Sequence, residues 1–177
     1  MKGFAFLIIV ILLINSCKQK DKYVYLPLQQ QAGMPGSLIK QHEYLLLKAR
    51  SFLVINDSIG KQLYEAIEYH FSEEEQYLFP VLGILPELAA GNLPAKTDSI
   101  IAFSEKFKTN SAKLLAEHQM ITKLISEYRL ISTQNDTALL NFEEELLEHA
   151  RVEEEIYFPA AVVIGDYLKL KSNLIKQ

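Results

Sequence analysis

The sequence predicts an all-α protein, an up-down-up-down four-helix bundle with an additional C-terminal helix. Two observations predict this fold. From Ser37 onward, apolar residues recur at three- and four-residue spacing, without the alternation typical of strands. One motif also occurs twice, at 70–80 and 149–159, with His first, Glu four and five residues later, and Phe-Pro at the end. Such a repeat indicates two related helical hairpins packed against each other.

Turn-forming residues set the expected helix boundaries. The turns lie at 56–58 and 132–136, and a longer connection rich in Pro, Gly and Asn covers 85–96. Because proline lacks a backbone N–H, we expect Pro159 to kink or end the fourth helix. The predicted helices run from about Ser37 to Ile55, from Ser58 to Pro80, from Thr97 to Ile131, from Thr137 to Phe158 and from Ala160 to Ile175.

The first sixteen residues have the layout of a secretory signal. Lys2 precedes an apolar run of eleven residues, Phe4 to Ile14, which would form a helix of roughly 16 Å, about half the hydrocarbon thickness of a membrane. The run ends in Ile14-Asn15-Ser16-Cys17, which resembles the lipobox of bacterial lipoproteins. This resemblance implies cleavage before Cys17 and acylation of that residue. The alternative is an ordinary signal anchor with an incidental cysteine.

Residues 17–36 are polar, Gln-rich and interrupted by proline, which predicts a flexible tether before the domain at 37–177. Both interpretations of the N-terminus place the domain outside the cytoplasm, and we expect it on the outer membrane of the cell envelope. Cys17 is the only cysteine, so the domain has no disulfide and no thiolate metal site. The net charge of -4, without a block of Lys and Arg, argues against nucleic-acid binding.

Histidine and glutamate share one helix face in each repeat. A helix advances about 100° per residue, so a residue four positions on lies about 40° away and one turn along. His70 and Glu74 therefore face the same way, as do His149 and Glu153. The second Glu of each motif falls about 140° from its His, and we expect both, Glu75 and Glu154, to point away from the centre.

The two remaining histidines are expected at the same level of the bundle. Residues at one level of an antiparallel hairpin are about equally far from its turn. The midpoint of His42 and His70 is Asn56, and the midpoint of His70 and His118 is Pro94. Both midpoints lie in predicted turns, and the midpoint of the last two histidines also falls in one. The four imidazoles should therefore converge.

Four convergent imidazoles with two carboxylates one turn away provide mixed nitrogen and oxygen ligation, and iron is the natural occupant. A metal also supplies the positive charge that two buried carboxylates need. Each residue alone has an ordinary alternative, a core histidine or a surface glutamate, and a zinc-filled or empty structural bundle is a further possibility. The candidate metal ligands are His42, His70, Glu74, His118, His149 and Glu153.

These motifs resemble the hemerythrin-like, or HHE, cation-binding family, in which a lone His is followed by His-x-x-x-Glu and Leu-Phe-Pro and the whole unit is repeated. The similarity covers about Ser37 to Pro159. It implies two iron ions in a non-haem, oxo- or hydroxo-bridged di-iron centre. In that centre the four histidines are terminal ligands, and Glu74 and Glu153 are bridges. Ferritin-like di-iron proteins are the alternative, but they use Glu-x-x-His, the opposite order.

The sequence departs from oxygen-carrying hemerythrins at two positions. Those proteins have a second His four residues after the third-helix His, where Thr122 stands, and an Asp five residues after the last His, where this chain has Glu153 at four. The resemblance therefore implies binding or sensing of a small oxidant or diatomic, namely oxygen, nitric oxide or peroxide. The alternative is a di-iron enzyme or an iron-handling protein of the iron-centre-repair type, although that group carries a cysteine-containing N-terminal domain.

Tyr77 is a further candidate near the site. It follows His70 by seven residues, two turns along the same face, where its hydroxyl could form a hydrogen bond near the cluster or its ring could carry an oxidising equivalent. The alternative is a tyrosine at the core or its rim. Catalytic residues and a redox partner are not specified by any motif.

Overall fold

A computed structural model gives the fold and describes residues 34–53, 58–132 and 137–175. The described residues are helical with no strand, which confirms the all-α prediction. The predicted signal, Cys17 and the tether lie almost entirely outside them. The elements are α1 (Gly36–Leu53), α2 (Ser58–Tyr77), α3 (Phe79–Leu82), α4 (Leu85–Ala89), α5 (Thr97–Ile131), α6 (Thr137–Val152), a π-helical turn (Glu153–Tyr157) and α7 (Phe158–Ile175).

Four helices form the predicted up-down-up-down bundle. α1 packs on α2 and α6, and α5 packs on the same two helices from the other side. α5 has 35 residues and is therefore about 52 Å long. Its first half extends past the bundle and packs against α7, which is the predicted additional C-terminal helix. Among the described helices, none combines the length and the apolar character that a membrane span requires.

The apolar core has two parts, one on each side of a polar layer. One part contains Leu38, Leu78 and Phe158, and the other contains Leu45 and Leu146, each with its neighbours. The polar layer holds eight buried side chains, all of them histidines or glutamates. The other buried polar side chain among the described residues, Ser104, lies between α5 and α7. Buried polar groups at this density require partners. The layer between the two cores is therefore the candidate ligand-binding site.

The ends of the two repeats differ from the prediction in detail. α2 ends at Tyr77 rather than Pro80, and the chain restarts as the short α3. The fourth helix does not end at Pro159, because a π-helical turn precedes it and the helix continues as α7. In this turn the N–H of Phe158 donates to the carbonyl of Glu153, five residues back. The wider turn accommodates the proline ring, which would clash with a carbonyl in a regular helix.

α5 and α7 approach each other closely at Gly165. A Cβ atom there would lie 2.0 Å from Ser104 Oγ and 2.5 Å from Ser104 Cβ. The Ser104 hydroxyl is itself held in place because it donates to the carbonyl of Ala161 at 2.9 Å. The absence of a side chain at Gly165 therefore sets the distance between the two helices.

We predict that Gly165→Ala destabilises the protein by about 1–3 kcal/mol, the usual cost of overpacking a filled contact. Urea unfolding followed by circular dichroism measures the change. Gly36→Ala is the control, since a Cβ there meets nothing within 4 Å, and its free energy of unfolding should stay within about 0.5 kcal/mol of wild type. Equal stability of the two variants would contradict the close approach.

Candidate metal centre

Every predicted ligand occupies a core-facing position of its helix. On α6 and the turn after it, the buried residues recur at spacings of three and four and end in the two ligands: Leu139, Phe142, Leu146, His149 and Glu153. The apolar residues of this stripe direct it into the bundle, and the ligands go with them. The same reasoning holds for His42, which follows Leu38 by four residues and precedes Leu45 by three.

The structure brings the six predicted residues together in two groups. His42 and His149 belong to one group, and His70 and His118 belong to the other. Glu74 and Glu153 belong to both. Within each group, one potential ligand atom per residue lies within 4.8 Å of the others. Each group takes one histidine from each hairpin, so both hairpins contribute ligands to both candidate metal positions.

The imidazole Nε2 atoms point at the shared carboxylates. Glu153 Oε1 lies 2.8 Å from His149 Nε2 and 3.7 Å from His42 Nε2, while its Oε2 lies 3.3 Å from His118 Nε2. Glu74 places one oxygen 3.5 Å from His42 Nε2 and the other 3.5 Å from His70 Nε2. Each carboxylate therefore faces both groups with a separate oxygen, an arrangement suited to bridging two cations.

Several of these atoms are buried without a well-directed hydrogen bond, although neighbouring polar atoms lie as close as 2.8 Å. Within the described residues, this is true of Nε2 of His42 and His149 and of both carboxylate oxygens of Glu74 and Glu153. A buried polar atom without a partner costs about 1–3 kcal/mol. Six such atoms aimed at one another fit a bound cation, which would satisfy all of them together.

Burial and neighbouring groups shift the pKa values of the two carboxylates in opposite directions. Burial, followed by the negative charge of Glu153, raises the pKa of Glu74 well above its ordinary range. Burial also acts to raise the pKa of Glu153, but the short contacts with His118, His149 and His42 outweigh it and hold that pKa well below the ordinary range. Two carboxylates this close cannot both ionise at low cost without added positive charge.

Three further glutamates hold the outer nitrogens of the imidazoles. Glu75 Oε1 lies 3.0 Å from Nδ1 of His42, Glu117 Oε2 lies 3.0 Å from Nδ1 of His70, and Glu154 Oε1 lies 2.7 Å from Nδ1 of His118. Each contact directs the opposite nitrogen, Nε2, to the centre and favours a deprotonated Nε2 that can bind a metal.

The role of these three was not predicted. Glu75 and Glu154 lie outside the two ligand groups, as expected, but neither points away from the site, because each reaches a histidine of a neighbouring helix. The second Glu is present in both motifs, and this repetition was the sequence feature that could have indicated a shared role. Glu117 directly precedes His118 and contacts His70 instead, a pairing that depends on how α2 and α5 pack.

We predict that Glu117→Gln lowers iron affinity about 10- to 100-fold, the usual effect of losing such a positioning carboxylate. Titration of iron in competition with a chelator measures it. Glu73→Gln is the matched control, because Glu73 and Glu117 both contact Lys113 but only Glu117 contacts a ligand. If both variants lost affinity equally, Lys113 rather than His70 would explain the effect.

Aromatic rings close one side of the centre. The His42 ring stacks on Phe71, with ring centroids 3.8 Å apart, and its centroid lies 4.7 Å from that of Phe79. On the other side, a shallow, open cavity of about 500 Å³ between α5 and α6 reaches His118 and is lined also by Thr122 and Ala150. The two positions therefore differ in their access to solvent, although their ligand sets are alike.

Tyr77 lies at the rim of the core that contains Phe79. It is partly buried against that core, and Lys106 Nζ lies 5.8 Å from the centre of its ring. This position matches the alternative interpretation of Tyr77 as a rim tyrosine.

Comparison with known proteins agrees with the geometry. The family model of the hemerythrin HHE cation-binding domain matches residues 38–161, which include all six ligand candidates. No curated protein and no solved structure matches the chain. The matched segment covers more than half of the sequence and contains two buried His and Glu groups that could hold a metal. The protein is therefore a metal-binding protein of the iron type, and it belongs to the hemerythrin HHE cation-binding domain family.

Proposed function

We propose that the protein binds two iron ions and uses them to bind or sense a small oxidant or diatomic molecule, namely oxygen, nitric oxide or peroxide. The proposal rests above all on the six buried atoms without hydrogen bonds, since one shared pair of cations would satisfy them. His42 and His149 would hold one iron, His70 and His118 the other, and Glu74 and Glu153 would contact both.

The protein's own residues set the conditions for this chemistry. A bound pair of irons supplies redox change and open coordination positions. The outer glutamates orient the imidazoles, and the phenylalanine rings keep water from the His42 side. The cavity beside His118 gives a small ligand a path from solvent, and Thr122 at its edge leaves space where an oxygen carrier has a further imidazole.

We further propose that acylated Cys17 fixes the protein to a membrane in the cell envelope, outside the cytoplasm. The lipobox-like sequence at 14–17 and the polar tether that follows it support this location. Labelling of growing cells with a radioactive fatty acid tests it. Label in wild type and none in Cys17→Ser is expected, whereas label in neither would contradict the anchor.

Ligand access gives a test of the oxidant-binding function. Iron-loaded protein should change its visible spectrum when nitric oxide, oxygen or peroxide is added. Ala150→Phe fills the cavity beside His118, so it should slow that change at least about tenfold while the iron content stays the same. Stopped-flow spectroscopy measures the rate.

The control is Ala112→Phe, the same substitution at an exposed position of α5 outside that cavity. No spectral change in wild type with any of the three ligands would contradict the proposed function. An equal rate in wild type and Ala150→Phe would contradict the access path alone. Sustained turnover with a supplied reductant would instead favour the enzyme alternative.

A further inference from the structure

α7 exposes an apolar stripe on the side that faces away from the bundle. At about 100° per residue, its members fall within a sector of about 60°, while the fully buried residues of α7 face α5. This pattern is unusual, because an exposed helix face normally carries polar residues. The stripe consists of Val163, Tyr167, Leu170 and Leu174, which are 65%, 42%, 60% and 58% exposed.

The spacing of the stripe is that of a coiled-coil seam. Its residues follow one another at intervals of four, three and four. Ile156, which is 56% exposed, lies seven residues before Val163, in the π-helical turn that leads into α7. Two helices that carry such a repeat pair along it, with each side chain inserted between those of the partner helix. The chain therefore carries a surface that a second copy of the same helix would fit.

Charged residues flank the seam in a complementary way. Asp166 lies on one flank, just before Tyr167, and Lys171 lies on the other, just after Leu170. In a parallel pair of helices, each flank of one helix faces the opposite flank of its partner. A residue on the first flank then meets the partner's residue that lies five positions further along the chain. Asp166 of one copy would thus face Lys171 of the other, twice by symmetry. Asp166 also contacts Lys108 of its own chain at 3.3 Å, an exposed ion pair of little strength.

We propose that the protein forms a homodimer in which the α7 stripes of two copies pair in parallel about a two-fold axis. Such an axis runs along the helices, so both copies present their N-terminal ends on the same side. This orientation suits two chains anchored to one membrane through Cys17. The dimer involves residues outside the metal centre and does not depend on the proposed metal chemistry, but its suitability for two anchored chains rests on the proposed attachment at Cys17.

The size of the stripe sets the expected strength. The four stripe residues and Ile156 each offer on the order of 100 Å² of apolar surface. Two copies together can therefore bury at most about 1000 Å², the lower limit for a specific interface. The dimer is therefore weak in solution and depends on concentration. Confinement of both chains to one membrane raises their effective concentration and favours pairing.

Sedimentation of the full chain in detergent micelles, over about a hundredfold range of concentration, tests the dimer. The wild type should shift from monomer to dimer, and Leu170→Glu should raise the dissociation constant at least about tenfold. Leu130→Glu is the matched control, since Leu130 is 82% exposed on α5 and lies outside the stripe. Circular dichroism and iron content verify that both variants fold. A wild type that stays monomeric, or equal effects of the two substitutions, would overturn the proposal.

A charge exchange tests the parallel arrangement. Asp166→Lys and Lys171→Asp should each weaken the dimer several-fold, because each brings like charges together, and the double variant should restore it. In an antiparallel pair the two residues do not meet, so a lack of restoration would overturn the parallel dimer.

The other possible occupant of the stripe is a lipid surface. In that case Leu170→Glu would leave the sedimenting mass unchanged and lower the binding of the Cys17→Ser protein to vesicles of phosphatidylethanolamine and phosphatidylglycerol. That result would also overturn the dimer.

Discussion

His149→Ala is expected to abolish iron binding by the protein, and His70→Ala is expected to do the same. His149 and His70 belong to different ligand groups, but both groups depend on the same two carboxylates. Loss of either imidazole would therefore remove one of the two proposed cations directly. It would also leave the carboxylates facing a single charge, which would weaken the second position. We therefore expect neither variant to retain iron through purification. Metal analysis after purification without oxygen measures the content.

Thermal unfolding provides a second readout of the same variants. A ligand that binds only the folded state at about a hundredfold excess over its dissociation constant stabilises by about 2.7 kcal/mol. Added iron should raise the melting temperature of wild type and leave that of both histidine variants unchanged. Glu144→Ala, an exposed change on α6, is the control and should respond like wild type. Full iron content in either histidine variant would contradict the ligand assignment.

Glu74→Leu is expected to stabilise the metal-free protein by about 1–3 kcal/mol while eliminating iron binding. Glu74 is fully buried, and neither of its carboxylate oxygens has a hydrogen bond. An apolar side chain of similar size removes that cost, since the residue lies between two apolar cores. The metal site thus lowers the stability of the metal-free fold. Urea unfolding in the presence of a chelator measures the gain.

The neighbouring residue supplies the control for this substitution. Glu73 is only half-buried and contacts Lys113 at 2.9 Å, so Glu73→Leu should change the free energy of unfolding by no more than about 0.5 kcal/mol and leave iron binding intact. A destabilised Glu74→Leu protein that still bound two irons would show that the carboxylate serves the fold rather than a metal.

The predictable part of the structure followed from local periodicity. Helix spacing put His149 and Glu153 on one face, and turn positions put the four histidines at one level, because both depend only on helix geometry. The third helix was predicted with the bounds Thr97–Ile131 that the structure gives it. These features need no knowledge of how the helices rotate against one another.

The remaining features depend on packing between helices. The contact of Glu117 with His70 needs the relative rotation of α2 and α5, which no local pattern specifies. The π-helical turn at Glu153 responds to Pro159 in one repeat, whereas the same Phe-Pro pair in the other repeat follows the end of α2 at Tyr77. Similar motifs thus form different local structures, a difference that no local pattern in the sequence specifies.

The most direct test of the account is the iron and zinc content of the full chain purified without oxygen. The two ligand groups and their shared carboxylates predict two irons per chain and negligible zinc. One metal per chain, zinc in place of iron, or a folded protein that takes up no iron when iron is supplied would contradict the di-iron centre.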